Sequence, residues 1–466
     1  MVLDLAELRR DLNERGIDVL RVLYADVLGI PRSKDILVSQ LEKVAEHGTA
    51  FSQGVWMTTT GGDFHDANSV ATDGLQDFVT RIEAITVSPL AWEPGVAYVI
   101  GDAFNPDGSP NMMSPRSVLK RVIEQYNTLG LHPVIGPELE FYVANRTAAG
   151  GFERALTQTG RVYMTGALVD PDGDLLHLLR MLDRMNIGAF AANHEFSPSQ
   201  YEINLWHSEA LDAADRTFFF KTAVKDIIAL RGKHATFLGK PWSDEGGSGF
   251  HLHLSVSSMN GTNLMHDDPI HGGGNHNGGG NHNDEGGLSA IAHHMIAGIT
   301  SHAAGLTALT NPTVNAFKRL GPGTLAPYRS NWGYDNRSCM VRVPPERGQG
   351  TRLEVRVGDG AANPYLVIAG ILAAALDGIV NNLDCPKEAV GMAYDNPGAP
   401  ILPETFSAAL DALDADDALR TQLSPEVVNV FMMLKRDEVA RYEASVTDHN
   451  TRDVTEWEIS EYFEAY

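Results

Sequence analysis

The sequence predicts an α+β fold, with a small β-rich N-terminal domain and a larger domain in which helices cover one face of a curved antiparallel sheet. Four segments after residue 130 alternate polar and apolar residues, which is the period of a strand with two unlike faces. A turn-rich stretch at 104–115, FNPDGSPNMMSP, separates them from shorter β-like segments. We therefore expect two domains, over residues 1–108 and 109–466.

The elements of the N-terminal domain follow from short apolar runs and turn residues. An amphipathic helix is predicted over residues 4–15. Strands are predicted at 18–24 and 33–38, on either side of a turn at 29–31, and again at 95–102. Together these elements predict a small sheet that precedes the turn-rich boundary.

Two helices are predicted in the larger domain. Ser114 and Pro115 suit the N-cap and the first turn of a helix that ends before Gly130. The longest apolar segment, 364–380, is interrupted by Asp377 and therefore predicts a buried core helix rather than a membrane span. No signal peptide is expected from the charged N-terminus, and no membrane partner is expected.

Composition restricts the class of protein. The chain has 466 residues, with 36 Lys and Arg against 60 Asp and Glu, giving a formal charge of −24. Such an acidic chain is a poor general ligand for nucleic acid or an anionic membrane. Two cysteines exclude a disulfide framework and fit a reducing cytoplasm. ATP is not excluded, because cations held by carboxylates can bridge to phosphate.

The chemistry is predicted on the polar faces of the four alternating segments, 134–143, 199–205, 247–256 and 351–357. An ordinary solvated strand face is the simplest interpretation of any one of them. Together, however, they carry the residues that hold metals and phosphates, and so many glutamates on one face would repel one another without bound cations. The candidates, with Glu195 added, are Glu138, Glu140, Glu195, Glu202, His251, His253, Ser255, Arg352, Glu354 and Arg356.

One low-complexity segment, HGGGNHNGGGNHNDEGG at 271–287, contains His271, His276 and His282. A metal site is one interpretation of these histidines. The glycines provide no rigid geometry and no cysteine accompanies them, so we expect a flexible, solvated surface insertion.

Six motifs in order resemble the glutamine synthetases over nearly the whole chain. They are GPELEF (136–141), HEFSPSQYEIN (194–204), KPWSDEGGSGFHLHLS (240–255), NPTVNAFKRLGPG (311–323), NRSCMVRVP (336–344) and RLEVRVGDGAANPYL (352–366). The resemblance implies a β-grasp-like N-terminal domain and a catalytic domain that binds ATP and L-glutamate. It also implies a cytoplasmic homo-oligomer of two stacked hexameric rings, with active sites between neighbouring subunits. The terminus TEWEISEYFEAY (455–466) resembles a tail that clasps the opposite ring.

The resemblance also assigns roles to individual residues. Two or three Mg²⁺ or Mn²⁺ ions are implied, one held by Glu140, Glu195 and Glu202 and another by Glu138, His251 and Glu354. Glu195 is counted with the catalytic residues as well. ATP contacts are implied for His253, Ser255 and Arg352. The carboxylates of L-glutamate would be held by Arg319 and Arg356, with Gly247. Arg337 and Arg342 would lie against the transferring phosphate. A salt bridge within the lumen of the sheet is the alternative role for Arg337, Arg342 and Arg352.

The sequence departs from glutamine synthetases where ammonium binds. The family pattern PG-x-E-AP appears here as PGTLAP, with Leu325 in place of the glutamate, and Ser52 stands at the expected place of an aspartate. Leucine gives a buried ammonium ion no counter-charge, which favours a substituted amine. We therefore expect a γ-glutamyl-amine ligase with ethanolamine or another small monoamine as acceptor. The alternatives are a polyamine, ammonia, and a retired family member without turnover.

Two smaller departures concern binding and regulation. Gly246 replaces an asparagine that is usual in the ATP-region motif, which puts one substrate hydrogen bond in doubt. The segment NNLDCP (381–386) lacks the tyrosine that many bacterial enzymes adenylylate, so we do not expect that modification.

Overall fold

The computed structural model describes residues 5–65, 74–267 and 286–466 and has an α+β architecture, as predicted. Residues 271–285 of the glycine- and histidine-rich segment lie outside the described residues. The helices are α1 Leu5–Glu14, α2 Leu41–His47, α3 Pro115–Thr128, α4 Asp174–Arg184, α5 Ala210–Leu230, α6 Ala290–Ser301, α7 Ala303–Thr310, α8 Pro364–Asn381, α9 Phe406–Asp414, α10 Asp417–Leu423, α11 Pro425–Ser445 and α12 Glu456–Tyr462.

The first sheet is formed by strands β1 Val19–Ala25, β2 Pro31–Leu37, β3 Thr49–Ser52, β4 Asp77–Pro89 and β5 Val96–Phe104. Their order is β2-β1-β5-β4-β3, and β1 and β5 run parallel while the other pairs are antiparallel. The sequence-based strands at 18–24, 33–38 and 95–102 correspond to β1, β2 and β5. The domain boundary at residue 108 stays a prediction, although it falls in the loop between β5 and α3.

The second sheet is built around one long strand. Its members are β6 Leu131–Arg146, β7 Phe152–Arg154, β8 Ala189–His194, β9 Gln200–Leu205, β10 Ser208–Glu209, β11 His234–Thr236, β12 Gly249–Ser258, β13 Trp332–Tyr334, β14 Val341–Val343 and β15 Leu353–Asp359. The order is β13-β14-β15-β12-β6-β9-β8, and β7, β10 and β11 also pair with β6. All pairs are antiparallel except β13 with β14, which the sequence did not indicate.

The register of this sheet places the polar candidates in adjacent positions. Glu138 on β6 lies opposite His251 on β12 and Asn204 on β9. His253 and Arg342 both lie opposite Glu354. The predicted polar face therefore forms one continuous surface across β14, β15, β12, β6 and β9. One detail differs from a solvated face, because all seven residues of β15 are buried.

Helices cover the apolar side of the sheet, with α8 at the centre of the core. By length and composition α8 could cross a membrane, but 78% of it is buried inside the protein. It packs against α3, α5, α6 and α7. The predicted core helix is therefore confirmed. The helix expected after Ser114 is α3; Pro115 occupies its first turn, while the Ser114 side chain makes no capping hydrogen bond.

The C-terminal tail packs against its own chain, and the expected clasp of an opposite ring stays a prediction. Tyr462 and Phe463 are fully buried. The Phe463 ring stacks on Phe152 of β7 with 4.1 Å between ring centroids. Thr455 and Glu458 form a capping box at the start of α12. The tail is thus an intramolecular element in this structure.

Candidate active site

Glu138, His251 and Glu354 form a compact cluster on three neighbouring strands. Each offers a ligand atom, and these atoms lie within 4.8 Å of one another. His251 Nδ1 is 3.1 Å from Glu138 Oε1, and His253 Nε2 is 3.4 Å from Glu138 Oε2. Carboxylate and imidazole groups at this spacing suit a divalent cation.

The carboxylates of this cluster already have cationic or imidazole partners. Burial disfavours the charged form of Glu138, but hydrogen bonds with His251 and His253 outweigh it and hold the Glu138 pKa well below its usual range. Glu354 is almost completely buried and ion-paired to both Arg342 and Arg356. Burial opposes its ionisation, yet the positive charges, Arg356 foremost, lower its pKa to about 2.

Glu140, Glu195 and Glu202 form the other part of the acidic cluster. Gln200 Nε2 and Gly249 N donate to Glu140 Oε2, at 3.0 and 2.9 Å. The other two glutamates accept hydrogen bonds from neutral amides. Asn193 Nδ2 donates to Glu195 Oε1 at 2.8 Å, and Asn204 Nδ2 donates to Glu202 Oε1 at 3.1 Å.

These amides do not compensate the negative charge. Burial, followed by repulsion from Glu140, raises the pKa of Glu195 to about 7. Burial, then repulsion from Glu138, Glu140 and Glu195, raises the pKa of Glu202 to about 10. Carboxylates that cannot all ionise without a cation fit a divalent-metal site, so the donor set of both halves suits Mg²⁺ or Mn²⁺.

Arg319 and Gly247 lie together at another part of the site. Arg319 is buried, and its guanidinium donates to the main-chain oxygens of Val357 and Arg356 at 3.2 and 3.4 Å. It has no ion pair with a carboxylate among the described residues, so its charge remains available to an anion. A Cβ at Gly247 would lie 2.5 Å from Arg319 Cγ, which explains the glycine there.

His253, Ser255 and Arg352 lie along one edge of the cluster. His253 and Ser255 alternate with buried leucine and valine on β12. Arg352 directly precedes β15, donates from Nε to His253 Nδ1 at 3.1 Å, and pairs with Glu346. These positions put a guanidinium and an imidazole in contact, with a serine on the same strand.

Arg337 and Arg342 differ in their surroundings. Arg342 is ion-paired to Glu354 and Asp335, so the salt-bridge role proposed as its alternative is present in the structure. Arg337 is exposed and has no ion pair among the described residues, although its charge acts on Tyr163. Of the two, Arg337 is the one whose guanidinium is free to meet an anion.

The residues expected near the acceptor amine differ from the metal ligands in their exposure to solvent. Leu325 is 53% exposed and holds a left-handed backbone, with φ of 60°. Ser52 is exposed at the end of β3, and Gly54 N donates to its hydroxyl at 3.2 Å. Gly246 N donates to Ser197 Oγ at 2.7 Å, and its oxygen accepts from Tyr142.

Sequence reasoning assigned no role to the amides that orient the glutamates. Gln200 donates to both Glu140 and the main-chain oxygen of Gly247, and so links the acidic cluster to the arginine region. Gln200 and Asn204 lie on the polar face of the segment 199–205, so the alternation already placed them correctly. Asn193 and Asp335 had no comparable signal, because their segments do not alternate clearly.

Comparison with known proteins gives consistent matches. Residues 112–454 match the family model described as glutamine synthetase, catalytic domain. The glutamine synthetase of Pyrococcus horikoshii is 33% identical over 464 residues, covering 96% of both chains. That of Thermus thermophilus is 34% identical over 485 residues, covering 99% of both. A solved GmaS/ADP complex is 31% identical with a TM-score of 0.82, covering 97% of this chain and 98% of that one.

Together, the fold, the cluster of ligating side chains and these matches define an ATP-dependent ligase. The chain belongs to the glutamine synthetase family, whose enzymes use ATP, divalent metal ions, L-glutamate and either ammonia or an amine.

Proposed function

We propose that this protein joins the γ-carboxylate of L-glutamate to a small amine, through a γ-glutamyl phosphate formed with ATP. Ethanolamine or another small monoamine is the proposed acceptor. The observation that carries the proposal is the combination of the Glu138, His251 and Glu354 cluster with Leu325 at the family's ammonium-site glutamate. Two solved structures of similar fold carry the name GmaS rather than glutamine synthetase, which is compatible with a divergent acceptor.

The proposed reaction needs ATP because a carboxylate is a poor electrophile. Transfer of the γ-phosphoryl group gives an acyl phosphate, which an amine attacks with departure of phosphate. When bound, divalent cations would neutralise the negative charge of the phosphates during this transfer. We assign one cation to Glu138, His251 and Glu354.

We assign the other cation to Glu140, Glu195 and Glu202. Arg319 and Arg356 would orient the substrate carboxylates, with Gly247. His253, Ser255 and Arg352 would contact ATP, and Arg337 and Arg342 would face the transferring phosphate.

Assembly is also part of the proposal. We infer a cytoplasmic homo-oligomer of two hexameric rings, in which the N-terminal domain of one subunit brings Ser52 to the site of the next. Ser52 is exposed, and its hydroxyl bonds within its own chain to main-chain atoms of Gly54 and Leu75. The molar mass in solution tests this inference. A monomer with full activity would contradict it.

The first experiment is phosphate release from ATP with Mg²⁺, L-glutamate and a panel of acceptors. The panel contains ethanolamine, methylamine, putrescine and ammonia at matched concentrations of free base. We expect the highest kcat/KM with a monoamine. The highest value with putrescine would favour a polyamine ligase, and the highest with ammonia would restore a conventional glutamine synthetase. No release with any acceptor would indicate a family member without turnover.

Leu325 is the residue that tests acceptor specificity most sharply. Each buried CH₂ contributes roughly 0.8 kcal/mol, so two of them favour an ethyl-sized amine over ammonia by about tenfold. Leu325→Glu, alone and with Ser52→Asp, should raise kcat/KM for ammonia relative to the best amine. Leu325→Gln is the matched control, because it is polar without charge and keeps the same backbone requirement at positive φ.

A wild-type preference for ammonia, or an unchanged ratio in Leu325→Glu, would contradict the amine-ligase proposal. It would leave the metal and glutamate assignments intact, since those depend on other residues.

A further inference from the structure

Residues 452–458, which lead into the C-terminal tail and begin it, hold the chain on both sides of Arg319. Arg452 donates from Nη1 to Phe317 O at 3.0 Å and from Nη2 to Leu320 O at 2.8 Å. Lys318 Nζ donates to Asp453 O at 2.6 Å. These hydrogen bonds fix the residues immediately before and after Arg319 in the chain.

Glu458 is the centre of this contact. It is completely buried, accepts a hydrogen bond from Asn315 Nδ2 at 2.8 Å, and is ion-paired to Lys318. The Glu458 carboxylate also accepts from the backbone N–H and the hydroxyl of Thr455 in the capping box. A buried carboxylate with this many donors is geometrically fixed, because breaking any of them would leave a buried charge or polar group unpaired.

Asn315 extends the network to the loop that carries Gly247. Its Oδ1 accepts from Lys240 N at 2.7 Å and its Nδ2 donates to Lys240 O at 2.8 Å. The same Nδ2 therefore bridges Lys240 and Glu458. One buried carboxylate in the tail thus supports both the turn that ends at Arg319 and the start of the segment 240–247.

We propose that Glu458 is a positioning residue for L-glutamate, acting through Lys318 and Asn315 on Arg319 and the Gly247 loop. The proposal rests on the proposed function, since it takes Arg319 as a ligand of the substrate carboxylate. The reason is geometric: Arg319 reaches its partners only through main-chain oxygens of β15, at 3.2 and 3.4 Å, so its own hydrogen bonds hold it loosely. Tight support must come from the segment on which it lies.

The test is Glu458→Gln, which keeps the size and one acceptor oxygen but removes the charge. We expect the KM for L-glutamate to rise roughly tenfold while kcat and the KM for ATP change less than about twofold, as for other outer-shell partners of a binding group. Arg452→Gln loosens the same turn from an exposed position and should raise the KM for L-glutamate in the same sense. It provides the test should Glu458→Gln fold poorly.

Two controls separate positioning from stability. Tyr462→Phe removes a buried tail hydroxyl that donates to Glu438 Oε1 at 2.6 Å and contacts neither Glu458 nor its partners, so it should lower the unfolding temperature and leave the KM for L-glutamate unchanged. Glu456→Gln removes an exposed charge two residues before Glu458, and it should change neither the unfolding temperature nor the KM for L-glutamate.

Equal changes in all kinetic constants of Glu458→Gln, or none, would overturn the positioning role. The variant Arg319→Met decides whether such a result also contradicts the proposed role of Arg319 in binding L-glutamate. If Arg319→Met loses stabilisation by L-glutamate in a thermal-shift titration while Glu458→Gln does not, the inference fails and the proposed function stands. If Arg319→Met binds L-glutamate as the wild type does, the proposed function of Arg319 fails as well.

Discussion

The two halves of the acidic cluster contain the same kind of ligand but opposite electrostatics. Around Glu138, His251 and Glu354, imidazoles and arginines compensate the carboxylates, and the pKa values of both glutamates are lowered. Around Glu195 and Glu202, the side-chain donors among the described residues are neutral amides, and the pKa values of both glutamates are raised. The protein itself balances the charge of one half, whereas the other half holds protons unless a cation replaces them.

This difference indicates that the two halves of the acidic cluster bind their cations differently in the proposed mechanism. A half whose charge is balanced by the protein keeps its geometry at all stages of the reaction. A half whose balance depends on a cation binds that cation in competition with protons. Variants and conditions that act on one half should therefore give results distinct from those on the other.

The largest effect is expected from removing a ligand of the compensated half. Glu138→Ala should lower kcat by about a thousandfold or more, because several kcal/mol of transition-state stabilisation depend on a correctly held cation. Glu354→Gln should do the same while keeping the volume that packs against Arg342 and Arg356. Both should assemble as the wild type does, measured by light scattering.

Glu153→Ala is the control, since Glu153 lies on β7 beside β6 and is exposed. Wild-type turnover of either ligand variant with Mg²⁺ would show that the metal assignment is wrong.

The next effect concerns the pH dependence of metal binding. With the pKa of Glu195 raised to about 7 and that of Glu202 to about 10, the metal-free protein holds protons there at neutral pH. A cation needs the ionised forms, so binding releases protons and affinity falls as pH falls, by up to about tenfold per pH unit for each proton released. Glu354, with a pKa of about 2, contributes none of this dependence.

Calorimetry of Mg²⁺ binding at pH 7 in two buffers of different ionisation enthalpy measures this proton release. Glu195→Gln should release fewer protons than the wild type, whereas Glu153→Gln should release the same number. Binding without proton release would contradict the raised pKa values.

The sequence was sufficient for the polar face but not for its electrostatics. Alternation in 134–143 and 247–256 placed Glu138 and His251 each on the polar face of a strand, because the side-chain period of a strand is two. The register that sets them opposite each other comes from the structure. The same pattern could not tell that Arg342 and Arg356 converge on Glu354. That convergence depends on β14, a strand of three residues whose pairing is set by tertiary packing.

The burial of Glu458 in the tail could not be predicted from the sequence. The clasp of an opposite ring, which the resemblance of the terminus implies, stays a prediction. In the structure Glu458 is buried because Lys318 and Asn315, far away in sequence, supply its partners. A buried acidic residue cannot be recognised from a single sequence when its partners lie about 140 residues away.

The smallest expected effect is on the free energy of unfolding, and it distinguishes the two halves of the acidic cluster without any substrate. The folded protein holds a proton on Glu202 that the unfolded chain, with an ordinary pKa of 4.5, releases at neutral pH. Since the folded state binds more protons, the stability of the metal-free protein falls as pH rises above 4.5. Glu202→Gln lacks this dependence, so in EDTA at pH 8 it should be more stable than the wild type, by on the order of 1–3 kcal/mol. The difference should disappear near pH 4.

Excess Mg²⁺ should offset this difference, because a cation bound to the ionised glutamate stabilises the wild type by about 2.7 kcal/mol at a hundred times its Kd. Chemical unfolding at pH 4 and pH 8, with EDTA and with Mg²⁺, measures all four values. Glu153→Gln should follow the wild type throughout. If Glu202→Gln is less stable than the wild type at pH 8 in EDTA, then the protein itself compensates Glu202, and the contrast between the two halves does not hold.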